Sequence, residues 1–207
     1  MIPAMRITGG ELGGRLVKVP RTAMRPTQDR VRGSLFSILG ERVPGCRFLD
    51  LYAGTGAVGI EAWSRGAAQV CWVEAHPAIL QCLEENVRAL CGEGVGRVIR
   101  GEVEGVLRRG PQARLGGSGD VPFDVIFADP PYDKRRRGEG SSVNWGDFLA
   151  VIETGGWLSP DGWLVIEQGD DEPLVERAGW VLIRDRRYGG TRLRVLARAA
   201  ESADKEI

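Results

Sequence analysis

Four carboxylates stand where chemistry is to be expected: Asp50, Glu74, Glu102 and Asp129. Asp50 opens the stretch DLYAGTGAVG, in which Gly54, Gly56 and Gly59 have the spacing G-x-G-x-x-G. That spacing describes a loop whose bare backbone comes close to a ligand, and in dinucleotide sites it cradles a pyrophosphate. A pyrophosphate suits this loop poorly. At about 5 Å and an effective dielectric near 20, each phosphate–carboxylate charge pair beside Asp50 costs about 3 kcal/mol. Glu74, about 20 residues beyond the glycines, is placed to accept both hydroxyls of a ribose. The other strong signal is ADPPY, Ala128 to Tyr132. A carboxylate followed by two prolines makes a stiff turn without N–H donors, so its carbonyls face outward as acceptors.

These groups require strands to carry them. From Arg47 onward the chain alternates between the two periods of regular structure. RFLDLYA reads as a strand and VGIEAWSRG as a helix closed by Gly66. QVCWVEA is a strand, and PAILQCLEENVRAL is a helix with Pro77 in its first turn. VIRGE and EGVLRR are a short strand and helix. FDVIFAD is almost wholly apolar, as the middle of a parallel sheet must be. WGDFLAVIETG is helical, GWLVIEQ a strand and PLVERAG a helix. GWVLIRDRRYGGTRLRVLARA forms two strands turning at Gly189-Gly190. The order predicts an α/β fold: a Rossmann-like sheet, mostly parallel and seven-stranded, with an antiparallel strand near one edge. Ligands of such sheets bind beyond the carboxyl ends of the strands, where all four carboxylates fall.

Upstream, RITGGELGGRLVKVP predicts a small β-hairpin. TQDRVRGSLFSILG predicts a helix capped by Thr27, with Val31, Leu35, Ile38 and Leu39 on one face and Gly40 as its stop. The expected organisation is a hairpin extension over residues 1–22, a catalytic domain over 23–200 and a tail over 201–207.

A ring of acids attracts a ligand that carries an ammonium and a sulfonium, and S-adenosylmethionine is such a ligand. The glycine loop approaches its methionine part, Glu74 takes the ribose, and Glu102 with Val103 meets the adenine. The corner from Asp129 then has a matching task. An exocyclic amine on a base or amide has two N–H donors and a delocalised lone pair. Asp129 and the Pro130 carbonyl can hold the hydrogens and aim the lone pair at the sulfonium methyl, while Tyr132 stacks on a flat base.

The formal net charge is zero, but its distribution is uneven. Residues 1–47 carry nine Arg or Lys against three acids, residues 184–198 carry six Arg and one Asp, and residues 134–137 read KRRR. Basic segments that converge suit a phosphate backbone. Arg6, Arg15, Lys18, Arg30, Arg135, Arg136, Arg137 and Arg187 are the candidate contacts to such a backbone, which the resemblance described below makes RNA. The four cysteines contain no C-x-x-C pair and His76 is the only histidine, so no metal site is expected. No stretch reads as a signal peptide or a spanning helix, and the expectation is a cytoplasmic monomer with no membrane partner.

The motifs resemble a known family. Asp50 with its glycine loop, Glu74 and D-P-P-Y are similar to amino-group methyltransferases of the Rossmann-like class. RPTQDRVRGSLFSIL, Arg25 to Leu39, and RITGG, Arg6 to Gly10, resemble the signature of RsmD-type enzymes, over nearly the whole chain. The resemblance implies methylation of the N2 amine of a guanine in 16S ribosomal RNA, on the assembled small subunit. It implies that Arg25 and Thr27 lie near the methionine end of the cofactor. It also implies that Tyr52, Ala53, Gly54, Thr55, Gly56, Gly59 and Ala75 line the cofactor site, and that Asp129, Pro130, Pro131 and Tyr132 form the amine site. One departure is His76, where many relatives have an acid; here it reads as a helix-start residue. Four rivals remain open from sequence: a DNA adenine-N6 or cytosine-N4 methyltransferase, another RNA amino-methyltransferase, a protein glutamine methyltransferase, and a non-catalytic nucleotide- or RNA-binding module.

Overall fold

The strands that carry the carboxylates lie side by side. In this computed structural model the described residues are 4–20, 29–111, 122–131, 143–173 and 176–199. The main strands are β3 (Arg47–Leu51), β4 (Gln69–Glu74), β5 (Gly96–Arg100), β6 (Phe123–Ala128), β7 (Leu158–Gly169), β8 (Trp180–Tyr188) and β9 (Thr191–Arg198). They form one sheet in the order β5-β4-β3-β6-β7-β9-β8. The pairs β4–β5, β3–β4, β3–β6 and β6–β7 are parallel, and β9 runs antiparallel to both β7 and β8. The seven-stranded sheet and its single reversed strand agree with the sequence pattern.

Each face of the sheet is covered by its own core. On one face Phe48, Val70, Trp72, Val125, Phe127, Val165, Leu193 and Val195 pack under α1 (Asp29–Leu39), α2 (Ala57–Ser64) and α3 (Pro77–Leu90). On the other, Leu49, Leu51, Val73, Ile126, Leu164 and Ile166 pack under α4 (Val103–Leu107) and α5 (Trp145–Thr154). Successive residues therefore alternate between two buried faces, which is why β6 is apolar almost throughout. Among the described residues no helix is long and apolar enough to cross a membrane.

The expected hairpin forms from β1 (Ala4–Arg6) and β2 (Leu16–Lys18). Met5, Ile7, Val17 and Val19 turn inward, and Arg6, Leu16 and Lys18 outward. Two buried polar devices fasten the hairpin. Asn86 of α3 donates through Nδ2 to the carbonyls of Lys18 and Thr55, both at 3.0 Å, and accepts from the Lys18 N–H at 3.0 Å. It thus joins β2 to the glycine loop. Glu61 of α2 accepts from Arg32 Nε at 2.7 Å, from Arg65 at 2.8 Å, and from both the backbone N–H and the hydroxyl of Thr8. Arg32 also donates to the Arg6 carbonyl and to Asp29.

α1 is followed at Gly40, with φ of 50°, by a 3-10 turn over Gly40–Arg42. The expected cap Thr27 lies outside the described residues. The helix expected over PLVERAG does not form at Pro173 or over residues 176–179; residues 174 and 175 lie outside the described set. The cause is Arg194, 5% exposed, whose guanidinium takes the carbonyls of Glu172 and Pro173 at 2.9 and 2.8 Å. The Pro173 carbonyl is one that the first turn of such a helix needs.

Candidate active site

Asp50 is the fourth residue of the five-residue strand β3, and it pairs in register with Trp72 of β4 and Phe127 of β6. Glu74 and Asp129 lie two residues beyond those partners, on the same face. Strand geometry therefore sets each about 8 Å from Asp50 between Cα atoms, one on either side. The three acids form a cup at the carboxyl edge of the sheet.

Asp50 is 1% exposed, and its Oδ2 accepts the Gly59 N–H at 2.8 Å. Burial pushes its carboxyl well above the usual range, and the charges of Asp129 and Glu74 push the same way. The Gly59 N–H opposes the shift without cancelling it. A cation brought into the cup relieves all of these effects together. The Asp50→Asn variant keeps an acceptor for Gly59 and removes the charge. We predict that the ligand-free variant melts a few degrees higher than the wild type at neutral pH. The sign follows from the raised value: the wild-type contribution is full below the unfolded carboxylate pKa and is lost as pH rises through the folded one. The stability gap should therefore open as pH rises, in melts recorded across the acid-to-neutral range. The same variant should bind S-adenosylmethionine at least about tenfold more weakly by calorimetry.

The glycine loop turns through left-handed backbone at Tyr52, Gly54 and Gly56, with φ of 57, 56 and 81°. Glu74, 9% exposed, fixes its path: Oε2 accepts the Gly54 N–H at 2.9 Å and Oε1 accepts the His76 N–H at 2.8 Å. Each oxygen keeps a further lone pair, as a carboxylate has about four acceptor sites. His76 caps α3 ahead of Pro77, in line with its reading as a helix-start residue. A Cβ on Gly59 would lie 2.1 Å from Trp72 Nε1, and one on Gly56 2.3 Å from Leu83 Cδ1. These two glycines let α2 and the loop pack against the sheet and α3. Thr55 turns its hydroxyl toward Met5 of the hairpin, and Ala53 is buried beside it in the loop with its N–H on the Val73 carbonyl.

At the third strand end Glu102 is exposed and precedes α4, while the side chain of Val103 is buried in the core. Glu104, which sequence reasoning passed over, accepts the Tyr52 hydroxyl at 2.7 Å. Burial and that hydrogen bond hold the Tyr52 phenol strongly protonated. Ala75 is half-buried between Glu74 and His76.

Asp129 is half-buried, Pro130 buried and Pro131 exposed, so the corner reaches from the core to the surface. Tyr132, Arg25, Thr27, Arg135, Arg136 and Arg137 lie outside the described residues. Of the candidate RNA contacts, Arg6, Arg15, Lys18 and Arg30 are exposed on the hairpin and α1. Arg187 is paired with Asp170. Asn86, Arg32 and Glu61 carry the support behind the loop and were not singled out from sequence. Glu61 did leave a signal, as the one charge inside the apolar run AVGIEAWS.

The donor set fits S-adenosylmethionine: a buried carboxyl with no ion-pair partner among the described residues, a second acid with lone pairs to spare, and a loop with bare backbone. The comparisons agree. The chain is 33% identical over 199 residues to Ribosomal RNA small subunit methyltransferase D of Escherichia coli K12, spanning 95% of this chain and 91% of that one. A hypothetical protein of Thermus thermophilus superposes with a TM-score of 0.72 at 32% identity, over 94% of this chain and 99% of its own. An RNA methyltransferase of Salinibacter ruber, solved with S-adenosyl-L-homocysteine, shares the fold with a TM-score of 0.59 at 16% identity, over 87% of this chain and 98% of its own. The model of the family described as Conserved hypothetical protein 95 matches residues 5–197. The chain belongs to that family, the RsmD-type methyltransferases.

Proposed function

We propose that the protein methylates the exocyclic N2 amine of a guanine in 16S ribosomal RNA, on the assembled small subunit, with S-adenosylmethionine as donor. The observation that carries this reading is the cup formed by Asp50, Glu74 and Asp129 beside a rigid Pro130-Pro131 corner. The relatives named ribosomal RNA small subunit methyltransferase D support the choice of RNA.

When bound, S-adenosylmethionine supplies an electrophilic methyl group on a sulfonium centre. The residues of this chain do the rest. Asp50 offsets the ammonium from below the glycine loop. Glu74, already held by the Gly54 and His76 N–H groups, uses its spare lone pairs on the ribose hydroxyls. Asp129 and the Pro130 carbonyl accept the two amine hydrogens and point the nitrogen lone pair at the methyl. Neither proline has an N–H, so the two prolines themselves offer no donor to that lone pair. As the N–C bond forms, the S–CH3 bond of the donor would break with its electron pair returning to sulfur, S-adenosylhomocysteine would leave, and the cationic nitrogen sheds one proton to Asp129 or to water. Positioning and electrostatics provide the acceleration, and no histidine base is required.

The test is transfer of labelled methyl to small subunits, to naked 16S RNA and to duplex DNA, all from cells lacking the protein. The expected product is N2-methylguanosine in 16S RNA, with subunits the best acceptor. Label in DNA, or on an adenine N6 or cytosine N4, overturns the reading.

A further inference from the structure

The outer strand β8 carries a register shift between Leu182 and Arg184. Its consequence is the direction of four charged residues. Leu182 pairs with Leu196, which belongs to the core under α4 and α5. Past the shift, Arg184 pairs with Val195 and Arg186 with Leu193, both in the core under α1, α2 and α3. Directly paired residues of an antiparallel ladder project to the same face. The extra residue therefore reverses the phase of the strand, as bulges do. It turns Arg184 and Arg186 to the face that holds Asp50, Glu74 and Asp129, and sends Asp185 and Arg187 to the opposite one.

The two sets differ in their partners. Asp170 and Asp185 bind Arg187, Arg192 and Arg194 into an ion-pair ladder on the far face. Arg184 and Arg186 are exposed, and each donates to a carbonyl of its own strand, Ile183 at 2.8 Å and Asp185 at 3.4 Å. Neither forms an ion pair among the described residues. Their height on the sheet is also fixed by register. Ala128 pairs with Ile166, Glu167 with Leu193 and Leu193 with Arg186, so Arg186 stands level with Asp129, three strands away. That is about 14 Å, a few nucleotides of chain. Arg184 and Arg186 stand about 6.6 Å apart along the strand, close to the step between successive phosphates of an extended single strand.

We infer that Arg184 and Arg186 hold the phosphate backbone of the RNA strand that brings its target base to Asp129, and that Arg187 is a structural ion-pair partner instead. The inference rests on the proposed function and adds the path of the substrate. Two guanidinium groups on the catalytic face, neither of them ion-paired among the described residues, complement a polyanion.

The test compares Arg184→Ala/Arg186→Ala, Arg184→Lys/Arg186→Lys and Arg187→Ala with the wild type. Binding to small subunits from cells lacking the protein is measured at several salt concentrations. The alanine pair should weaken binding about tenfold or more and flatten the log–log salt slope by about 1.5. The lysine pair should restore the slope. Arg187→Ala should leave it unchanged, and S-adenosylmethionine affinity should be the same in all four proteins. An alanine pair with the wild-type slope, or a loss confined to Arg187→Ala, overturns the inference. If the wild type methylates subunits and the alanine pair behaves like it, only this inference falls. If the wild type neither binds nor methylates RNA, the proposed function falls with it.

Discussion

Asp129→Ala is expected to lower methyl transfer a hundredfold or more while binding S-adenosylmethionine about as well as the wild type. The expectation follows from what Asp129 holds. In the proposed mechanism its carboxylate grips the amine rather than the donor, and an acceptor aimed at developing charge is worth about two to three powers of ten. Alanine leaves the Pro130-Pro131 turn in place, so the loss should fall on kcat at saturating donor. Donor affinity has reason to hold, because Asp50 and Glu74 remain. Removing one charge from the cup also lowers the repulsion that raises the Asp50 carboxyl. Single-turnover rates with labelled donor, beside calorimetric binding of the same variant, separate the two quantities. A variant within a few-fold of the wild-type rate would remove Asp129 from the chemistry.

Glu61→Gln is expected to cost about 3–5 kcal/mol of stability, because it takes the buried anion from the Arg32 guanidinium and leaves it only the exposed Asp29. Arg32 and Glu61 both have fully buried side chains. An arginine cannot shed its proton to escape the penalty, whereas a carboxyl can take one up. Arg32→Met should therefore cost less, since Glu61 retains Arg65 and Thr8. In a domain of this length the larger loss is about 6–20 °C in melting temperature. Burial alone would raise the Glu61 carboxyl, but hydrogen bonds from Thr8, Arg32 and Arg65 outweigh it and hold it below the usual value. Its contribution is present above the unfolded carboxylate pKa and fades as pH falls through the lowered folded one. Wild-type and Glu61→Gln stabilities should converge in acid. Equal melting temperatures at pH 7 would contradict the role given to the pair. The same network ties Arg6 and Thr8 to α2, so the variant should also loosen the basic hairpin.

Much of this architecture is written locally in the chain. The helix read from Pro77 to Leu90 forms over those residues, because its proline start and its apolar face are both local signals. The apolar run at Phe123 sits mid-sheet, and the chain turns at Gly189-Gly190 with Gly189 in left-handed backbone, φ 63°. What escaped are features made by partners distant in sequence. The helix expected at PLVERAG has its Pro173 carbonyl taken by Arg194, which lies 21 residues further on. The glycine spacing marks the loop, yet only the packed sheet shows that Gly59 exists to clear Trp72. Asn86 looks like any polar residue on α3 until it is seen bridging Lys18 and Thr55. The register shift at Leu182/Arg184 has no residue signature, and it decides which arginines of a basic strand face the site.

The most direct trial of the central claim is a crystal structure with S-adenosyl-L-homocysteine, read as one distance, from the ligand sulfur to the Asp129 carboxylate. The account predicts a gap of roughly 6–8 Å, open to solvent and wide enough for one base amine between the two. A sulfur outside that range, or walled off from Asp129 by protein, would contradict it.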